Sequence, residues 1–520
     1  MEIWTSLHLA FIGLLALSGF HRLGLTLLYL RESLRPQSSP DLNTGPGDRL
    51  PFVTVQLPLF NERYVAMRLL DHVQALDYPR DRLEIQVLDD SDDETRPLVG
   101  DRIRHLLASG LDIVHLTREN REGFKAGALA AAFARSRGDF FLLLDADFMP
   151  DPDFLLRLIP SFDDPAVGAV QARWTFVNRD YSLLTRLQAL FLDGHFVIEH
   201  RARQSIGAFF NFNGSGGILR RSAIEVSGGW QSDTLTEDLD LSYRMQLAGY
   251  RFVFRADVVC PSQLPYRFSE FKCQQFRWVK GSLQTARKLM GRLAGSRFPW
   301  LTRVEAGLHL ITNLVYPLML GTFLSWIPIF WSGTSLPRTV TVGLGSAGLI
   351  SLTTFYAVAH LSQRLSLLEL IPLVPTALSV AAGLTVSNTR AVIEGLGSST
   401  GTFERTPKLT PGEVSDSRSY RPAGSTGVTG LTGLIEILLA AYLLFGVSLA
   451  LQDEGRGAVI FLALFGAGVL VSGISSLSEI ADRGTLSPPP SNLLPTGETK
   501  TGSVSPDPIL PSEGRKIQDA

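Results

Sequence analysis

Three segments of this 520-residue chain combine residue types and spacings that could do chemistry: Asp145-Ala146-Asp147, Thr236-Glu237-Asp238 and Gln274-Gln275-Phe276-Arg277-Trp278. Residues 140–147 read Phe-Phe-Leu-Leu-Leu-Asp-Ala-Asp, an apolar run that ends abruptly in two carboxylates. A buried parallel strand looks like this when it delivers charge to the edge of a sheet. Side chains at i and i+2 of a strand point the same way, so Asp145 and Asp147 would repel unless a cation lay between them. A hard divalent ion, Mg²⁺ or Mn²⁺, that also bridges a diphosphate is the usual solution. An ordinary polar turn after a strand can also contain Asp-x-Asp, so the other segments must support the reading.

Thr236-Glu237-Asp238 precedes an amphipathic helical pattern, Leu239 to Arg244. Threonine and acids suit a helix start, but a carboxylate there could also take a proton from an attacking hydroxyl. Gln274, Arg277 and Trp278 lie in a helical stretch, 267–288, with apolar, aromatic and basic residues suited to a bilayer interface. The Arg-Trp pair needs a further reason: Trp offers a flat platform for a sugar ring, and Arg and Gln can hold phosphate or hydroxyl groups.

Weaker signals accompany these. Asp89-Asp90-Ser91 ends an apolar run, where a carboxylate can accept from a base or a ribose hydroxyl or simply cap a turn. Lys125 opens a helix among small residues, a setting that suits phosphate and equally a surface lysine. Asn213-Gly214-Ser215-Gly216-Gly217 is a loop whose glycines would let a sugar approach or make a turn. His195, Glu199 and His200 have helical spacing for a metal but lack an obvious third partner. The α/β stretch 51–300 carries no G-x-G-x-x-G fingerprint.

The elements that must position these groups follow from periodicity. Val53–Leu57, Glu84–Leu88, Asp112–Leu116 and Phe140–Leu144 read as short strands, alternating with helical stretches near 62–76, 95–108 and 124–136. That rhythm predicts an α/β fold with a largely parallel sheet and helices on both faces. Ligands bind such sheets at the carboxyl ends of the strands, and three of those ends are polar: Asn61-Glu62, Asp89-Asp90-Ser91 and Asp145-Ala146-Asp147.

Forty-eight Lys+Arg against 50 Asp+Glu leave no basic field, so nucleic acid is not an expected partner. The mean hydropathy of +0.15 is high for a water-soluble protein, and the excess is localised. Residues 1–33 read as a retained N-terminal membrane anchor rather than a cleaved signal, since a basic leading region and a cleavage site are lacking. Residues 34–50 are a Pro/Gly/Ser/Asp linker, and 51–300 hold the α/β domain. Spans near 305–331, 339–361, 430–451 and 457–480 are each long enough to cross about 30 Å of hydrocarbon. The stretch 367–389 carries Glu369, Pro372 and Pro375. Crossing there would put Arg390, Arg405, Lys408, Arg418 and Arg421 outside, against the positive-inside rule. It is expected to be interfacial or re-entrant, with 390–429 cytoplasmic. Residues 481–520 are expected to be a disordered tail. Cys260 and Cys273 suit buried thiols in a reducing compartment.

As a set, Asp-Asp-Ser, Asp-x-Asp, Thr-Glu-Asp and Gln-x-x-Arg-Trp, in this order, resemble the processive family 2 glycosyltransferases of the cellulose synthase group. Val55-Gln56-Leu57-Pro58, Gln86-Val87-Leu88-Asp89-Asp90-Ser91 and Arg121 to Ala128 are most similar to the branch with glucomannan mannosyltransferases and glucan synthases. The resemblance implies a GT-A-type nucleotide-sugar-binding sheet inserted between transmembrane helices, with its catalytic domain cytoplasmic (at the inner or plasma membrane in a bacterium). It implies Asp89, Asp90, Lys125 and Asp145 at the nucleotide sugar, Asp145 and Asp147 at Mg²⁺ or Mn²⁺, and Asp238 with Glu237 at the catalytic step. Gln274, Arg277, Trp278, Gly214 and Ser215 would face the acceptor. Phe403-Glu404-Arg405-Thr406-Pro407-Lys408 is similar to the family's gating loop apart from Arg405, which implies donor contacts from Phe403, Thr406 and Lys408. The implied activity is inverting transfer from UDP-glucose or GDP-mannose to a β-glucan or β-mannan. Membrane lipids would surround it, and a glycan or, in a glycolipid synthase, a lipid would be the acceptor. A non-catalytic transporter is the remote alternative.

Overall fold

The structure, a computed structural model, describes residues 2–34, 50–331, 338–397, 426–452 and 458–481. Strands β1 (Val53–Leu59), β2 (Leu83–Asp89), β3 (Ile113–Thr117), β4 (Phe140–Leu143), β5 (Val167–Phe176), β6 (Gly217–Arg220) and β7 (Arg251–Ser262) form one sheet, ordered β3-β2-β1-β4-β6-β5-β7. Alternation decides which face each residue serves. Val53, Val55, Leu57, Ile85 and Leu142 pack under helices Arg63–Gln74 and Thr95–Ala108, while Phe141, Leu143 and Leu219 pack under helix Phe124–Phe133. A sheet covered on both faces buries residues at successive positions. β4 meets this with an unbroken apolar run, whereas β1 and β2 also bury polar residues that pair across the two strands, Thr54 with Glu84 (2.7 Å) and Gln56 with Gln86 (2.9 Å).

The sheet is less parallel than expected. β3, β2, β1 and β4 run together, but β6 is antiparallel to both β4 and β5. After β5 the chain passes through helical segments up to Ser205 and re-enters from the edge where β4 ends, so that Gly217 pairs with Leu143. The Asn213–Gly216 loop therefore lies beside the end of β4.

Among the described residues, five helical stretches are long and apolar enough to cross a membrane: Ile3–Ser33, Trp300–Trp331, Gly343–Ser362, Gly430–Gln452 and Val459–Ser478. Helices Leu370–Gly383 and Thr385–Leu396 form a pair bent by 50°. Helix Phe268–Ala294 joins the sheet domain to this bundle, with Val279 and Leu283 packed on Ala391 and Val392.

Candidate active site

A cavity of about 1320 Å³ begins at the carboxyl ends of β1, β2 and β4 and continues between the apolar helices. Asp145 and Asp147 line it, but from a turn rather than from the strand. The ladder to β1 ends at Leu143, opposite Gln56, and the Asp145 N–H donates to Ser215 Oγ (2.8 Å) instead of to a neighbouring strand. The Phe148 N–H then closes the turn onto the Asp145 carbonyl (3.0 Å), and Asp147 Oδ2 accepts from the Gln263 N–H (3.2 Å). The i, i+2 strand geometry expected from the sequence is therefore absent at these two residues.

Lys125 stands between the acids. Its Nζ lies 2.6 Å from Asp145 Oδ1, 3.0 Å from the Gly214 carbonyl and 4.0 Å from Glu237 Oε1. Burial works against its charge, but Asp145 and Glu237 outweigh it and hold the ammonium's pKa above its ordinary value. Helix Phe124–Phe133 aims the lysine from a left-handed Gly123, whose added Cβ would stand 3.1 Å from the Gly127 Cα.

Asp238 sits in the first turn of helix Glu237–Leu247. Desolvation first, then the neighbouring Glu237 charge, push its pKa up to about 7, against the opposing pull of Lys125. A carboxylate poised near neutrality is what proton abstraction at physiological pH requires. Thr236 precedes this helix but does not cap it, because its side chain makes no capping bond. It is buried against Gly281 instead: a Cβ on Gly281 would lie 2.5 Å from Thr236 Cγ2 and 2.9 Å from its backbone nitrogen. One residue earlier, the Leu235 N–H donates to Gln284 Oε1 (2.9 Å). Two residues unremarked in the sequence, Gly281 and Gln284, thus seat Thr236-Glu237-Asp238 on the helix that carries Gln274, Arg277 and Trp278. Those three side chains line the same cavity.

The structure does not bring every predicted residue to the cavity. Asp89 is fully buried, accepts from Ser91 N–H (2.9 Å) and lies 2.8 Å from His115 Nε2. Burial raises its pKa, yet those two hydrogen bonds prevail and lower it. Ser215 is likewise buried behind the wall, as the partner of Asp145, whereas Gly214 lines the cavity. Asp90 also lines it, gripped by Arg118 through Nε (2.9 Å) and Nη2 (2.5 Å). Phe403, Thr406 and Lys408 lie outside the described residues.

Sequence reasoning missed the support behind the Asn213 loop. Gln171 Oε1 accepts from the Asn213 N–H (2.9 Å), and the Asn213 side chain bridges His195 and His200, each at 2.9 Å. His195 and Glu199 belong to a π-helical turn, Gly194–Glu199, where Glu199 pairs with Arg203 at 3.1 Å and Arg22 at 3.2 Å. The His195/Glu199/His200 spacing therefore serves hydrogen bonds and ion pairs. Its only sequence signal was an unplaced histidine pair.

Among the described residues no three His, Cys, Asp or Glu side chains form a closed metal cage. Asp145 and Asp147 nevertheless fit a divalent cation of the Mg²⁺ type, which usually takes one or two carboxylates and completes its shell with water and substrate phosphate.

Residues 140–367 match the model of the glycosyl transferase family group 2. Over that stretch the chain is similar to family 2 glycosyltransferases. Its mixed seven-stranded α/β sheet flanked by apolar helices is of the GT-A type. The chain is 44% identical over 324 residues to glucomannan 4-beta-mannosyltransferase 2 of Arabidopsis thaliana, covering 58% of this chain and 60% of that protein. It is 41% identical over 263 residues to glucomannan 4-beta-mannosyltransferase 1 of Oryza sativa subsp. japonica, covering 49% of each. The match thus spans about half to three fifths of these curated relatives. A solved mannosyltransferase from Pyrobaculum calidifontis, in complex with GDP-Man and Mn²⁺, is 24% identical with a TM-score of 0.49, over 67% of this chain and 96% of its own.

Proposed function

We propose that the chain is an inverting membrane glycosyltransferase that moves mannose from GDP-mannose onto a β-linked glycan. The observation that carries this reading is that Lys125, Asp145, Asp147 and Asp238 line one cavity together with Gln274, Arg277 and Trp278. The names of the relatives favour mannose over glucose.

Asp238 takes the proton from the acceptor hydroxyl. The oxygen attacks the anomeric carbon as the bond to the diphosphate breaks on the opposite side, so one displacement converts an α-linked donor into a β-glycoside. Lys125 supplies positive charge beside Asp145, where the leaving diphosphate gathers negative charge. A divalent ion held by Asp145 and Asp147 would add Lewis-acid neutralisation of the same group. Trp278 offers its ring to the acceptor sugar, while Arg277 and Gln274 bond hydroxyl or phosphate oxygens. Asp90 receives the nucleotide, and Glu237 tunes Asp238 and Lys125. The gating role of Phe403, Thr406 and Lys408 belongs to the same reading.

The domain limits inferred above, a cytoplasmic sheet domain and an interfacial or re-entrant stretch at 367–389 complete the proposal. The cavity's continuation past Tyr316, Trp326 and Phe465 would suit a glycan leaving through the bundle. Purified full chain should be incubated with labelled GDP-mannose or UDP-glucose and Mg²⁺ or Mn²⁺, followed by linkage analysis. A β-linked mannan is the expected product. A single chloroform-soluble glycolipid would replace the polymer reading, and no turnover of either donor would end it.

A further inference from the structure

Glu436 lies within the apolar stretch Gly430–Gln452 and is fully buried. Lys272, in the second turn of helix Phe268–Ala294, reaches it: Nζ donates to Oε1 and Oε2 at 2.5 and 2.7 Å. The same ammonium donates to Ser476 Oγ at 2.7 Å and to Ser472 Oγ at 3.2 Å, while Ser476 Oγ also lies 3.2 Å from Glu436 Oε2. Glycines bring the serines into reach by letting the last two helices cross closely. A Cβ on Gly433 would stand 3.0 Å from Ser476 Cβ, and one on Gly473 would stand 2.8 Å from Ile437 Cδ1.

Stability gives a poor account of this arrangement. Ionisable groups in such a segment are costly to bury, and well-packed apolar residues of similar size are often as stable as a buried ion pair or more so. Helix rotation gives a better one. At about 100° per residue, Gln274, Gln275 and Trp278 share the face that lines the cavity. Lys272 projects about a third of a turn to one side of it. Lys280 projects from the opposite face, where its Nζ meets Glu394 at 2.8 Å. Gly281 occupies the remaining side, against Thr236. An apolar contact would tolerate small rotations and slips of this helix. A lysine held by four oxygen contacts in a dry interior would not.

We propose that Lys272 and Glu436, with Ser472 and Ser476, form a positioning clamp through which the last two apolar helices set the rotation of helix Phe268–Ala294. The clamp thereby sets the placement of Gln274, Arg277 and Trp278 toward the acceptor. Neither charged residue touches substrate in this scheme, which rests on the glycosyl-transfer reading above.

The test uses the full chain in lipid nanodiscs with GDP-mannose as donor and β-1,4-mannotetraose as acceptor. The double variant Lys272→Met/Glu436→Leu should keep the wild-type thermal midpoint, the KM for GDP-mannose and the slow hydrolysis of the donor by water. Its kcat/KM for mannotetraose should fall by at least about tenfold, the scale of a sub-ångström to ångström misplacement, and its products should shorten. Glu436→Gln, which keeps size and hydrogen-bonding capacity, should show the same split and carries the test should the double variant not fold. Transfer to mannotetraose at the wild-type rate in either folded variant overturns the clamp, as does an equal loss of donor and acceptor parameters. A wild type that transfers from neither GDP-mannose nor UDP-glucose sinks both the clamp and the functional reading. A transferring wild type with unaffected variants sinks the clamp alone.

Discussion

The Asp238 carboxylate lies against the backbone of Gly214: a Cβ built on that glycine would stand 2.7 Å from Asp238 Oδ2. Gly214 also has φ +77°, and its carbonyl accepts from Lys125. One backbone position therefore holds the proposed base and the proposed diphosphate-binding lysine in register. Gly214→Ala should lower transfer by about 10²-fold through displacement of Asp238, and the left-handed backbone should add a cost of about 1–2 kcal/mol. Steady-state transfer and thermal melting of the same preparation check both. Wild-type transfer would separate Asp238 from the chemistry.

Asp238 predicts a pH profile. With its pKa near 7, kcat/KM should rise with pH through neutrality as the base loses its proton. Asp238→Asn should lose about 10²–10⁴-fold in rate and with it that acidic limb. The linked effect on stability has the opposite direction. The folded-state pKa exceeds the ordinary 3.8, so the protonated carboxyl's contribution is intact below about pH 4 and is lost as pH climbs through about 7. The Asn variant should thus gain thermal midpoint over wild type across that window. A variant that loses donor affinity as much as rate would move Asp238 to the diphosphate.

Removal of either turn carboxylate should abolish the response to divalent ions. Asp147→Ala is the cleaner change, because Asp145 is engaged by Lys125. Transfer should fall steeply, Mn²⁺ should no longer give a saturable binding isotherm in the presence of GDP, and the circular dichroism of the sheet should persist. Unchanged Mn²⁺ dependence would refute the assignment.

Gly281→Ala tests how the two halves of the site are joined. Alanine is favoured over glycine in a helix by about 1 kcal/mol, so an open position would be stabilised. Here the new methyl would meet the Thr236 side chain and backbone. The expected outcome is a lower thermal midpoint together with a transfer loss exceeding that of Gly291→Ala, a control on the same helix with nothing within 4 Å. Equal behaviour of the two variants would rule out the proposed seat.

Orientation can be read by labelling. A cysteine at position 415, in a background lacking Cys260 and Cys273, should resist an impermeant thiol reagent in intact cells if 390–429 is cytoplasmic. Efficient external labelling would mean that 367–389 crosses the bilayer.

Much of this protein is legible along the chain because it is written in local periodicity. The apolar run Phe140–Leu143 becomes β4, the alternating segments Val53–Leu59 and Leu83–Asp89 become β1 and β2, and the long apolar stretches become helices fit to span a bilayer. The order of acidic motifs after strands likewise announces a site at the sheet's carboxyl edge. Asp145, Asp147, Lys125 and Asp238 could be singled out as candidates because each lies next to the start or end of a regular element, and all four line one cavity.

What only the tertiary structure decided is how those elements face one another. The reversal of β6, the turn that carries Asp145 and Asp147, and the withdrawal of Asp89 and Ser215 behind the cavity wall depend on partners far along the chain. Lys125 meets Gly214 across 89 residues, and Lys272 meets Glu436 across 164. Periodicity tells which side of a helix or strand is apolar, but a glycine against a carboxylate, or a lysine against a buried glutamate, exists only once two elements have packed. Gly281, Gln284, Asn213 and Glu436 look like ordinary residues in sequence for that reason, because their significance lies in contacts that no local pattern encodes.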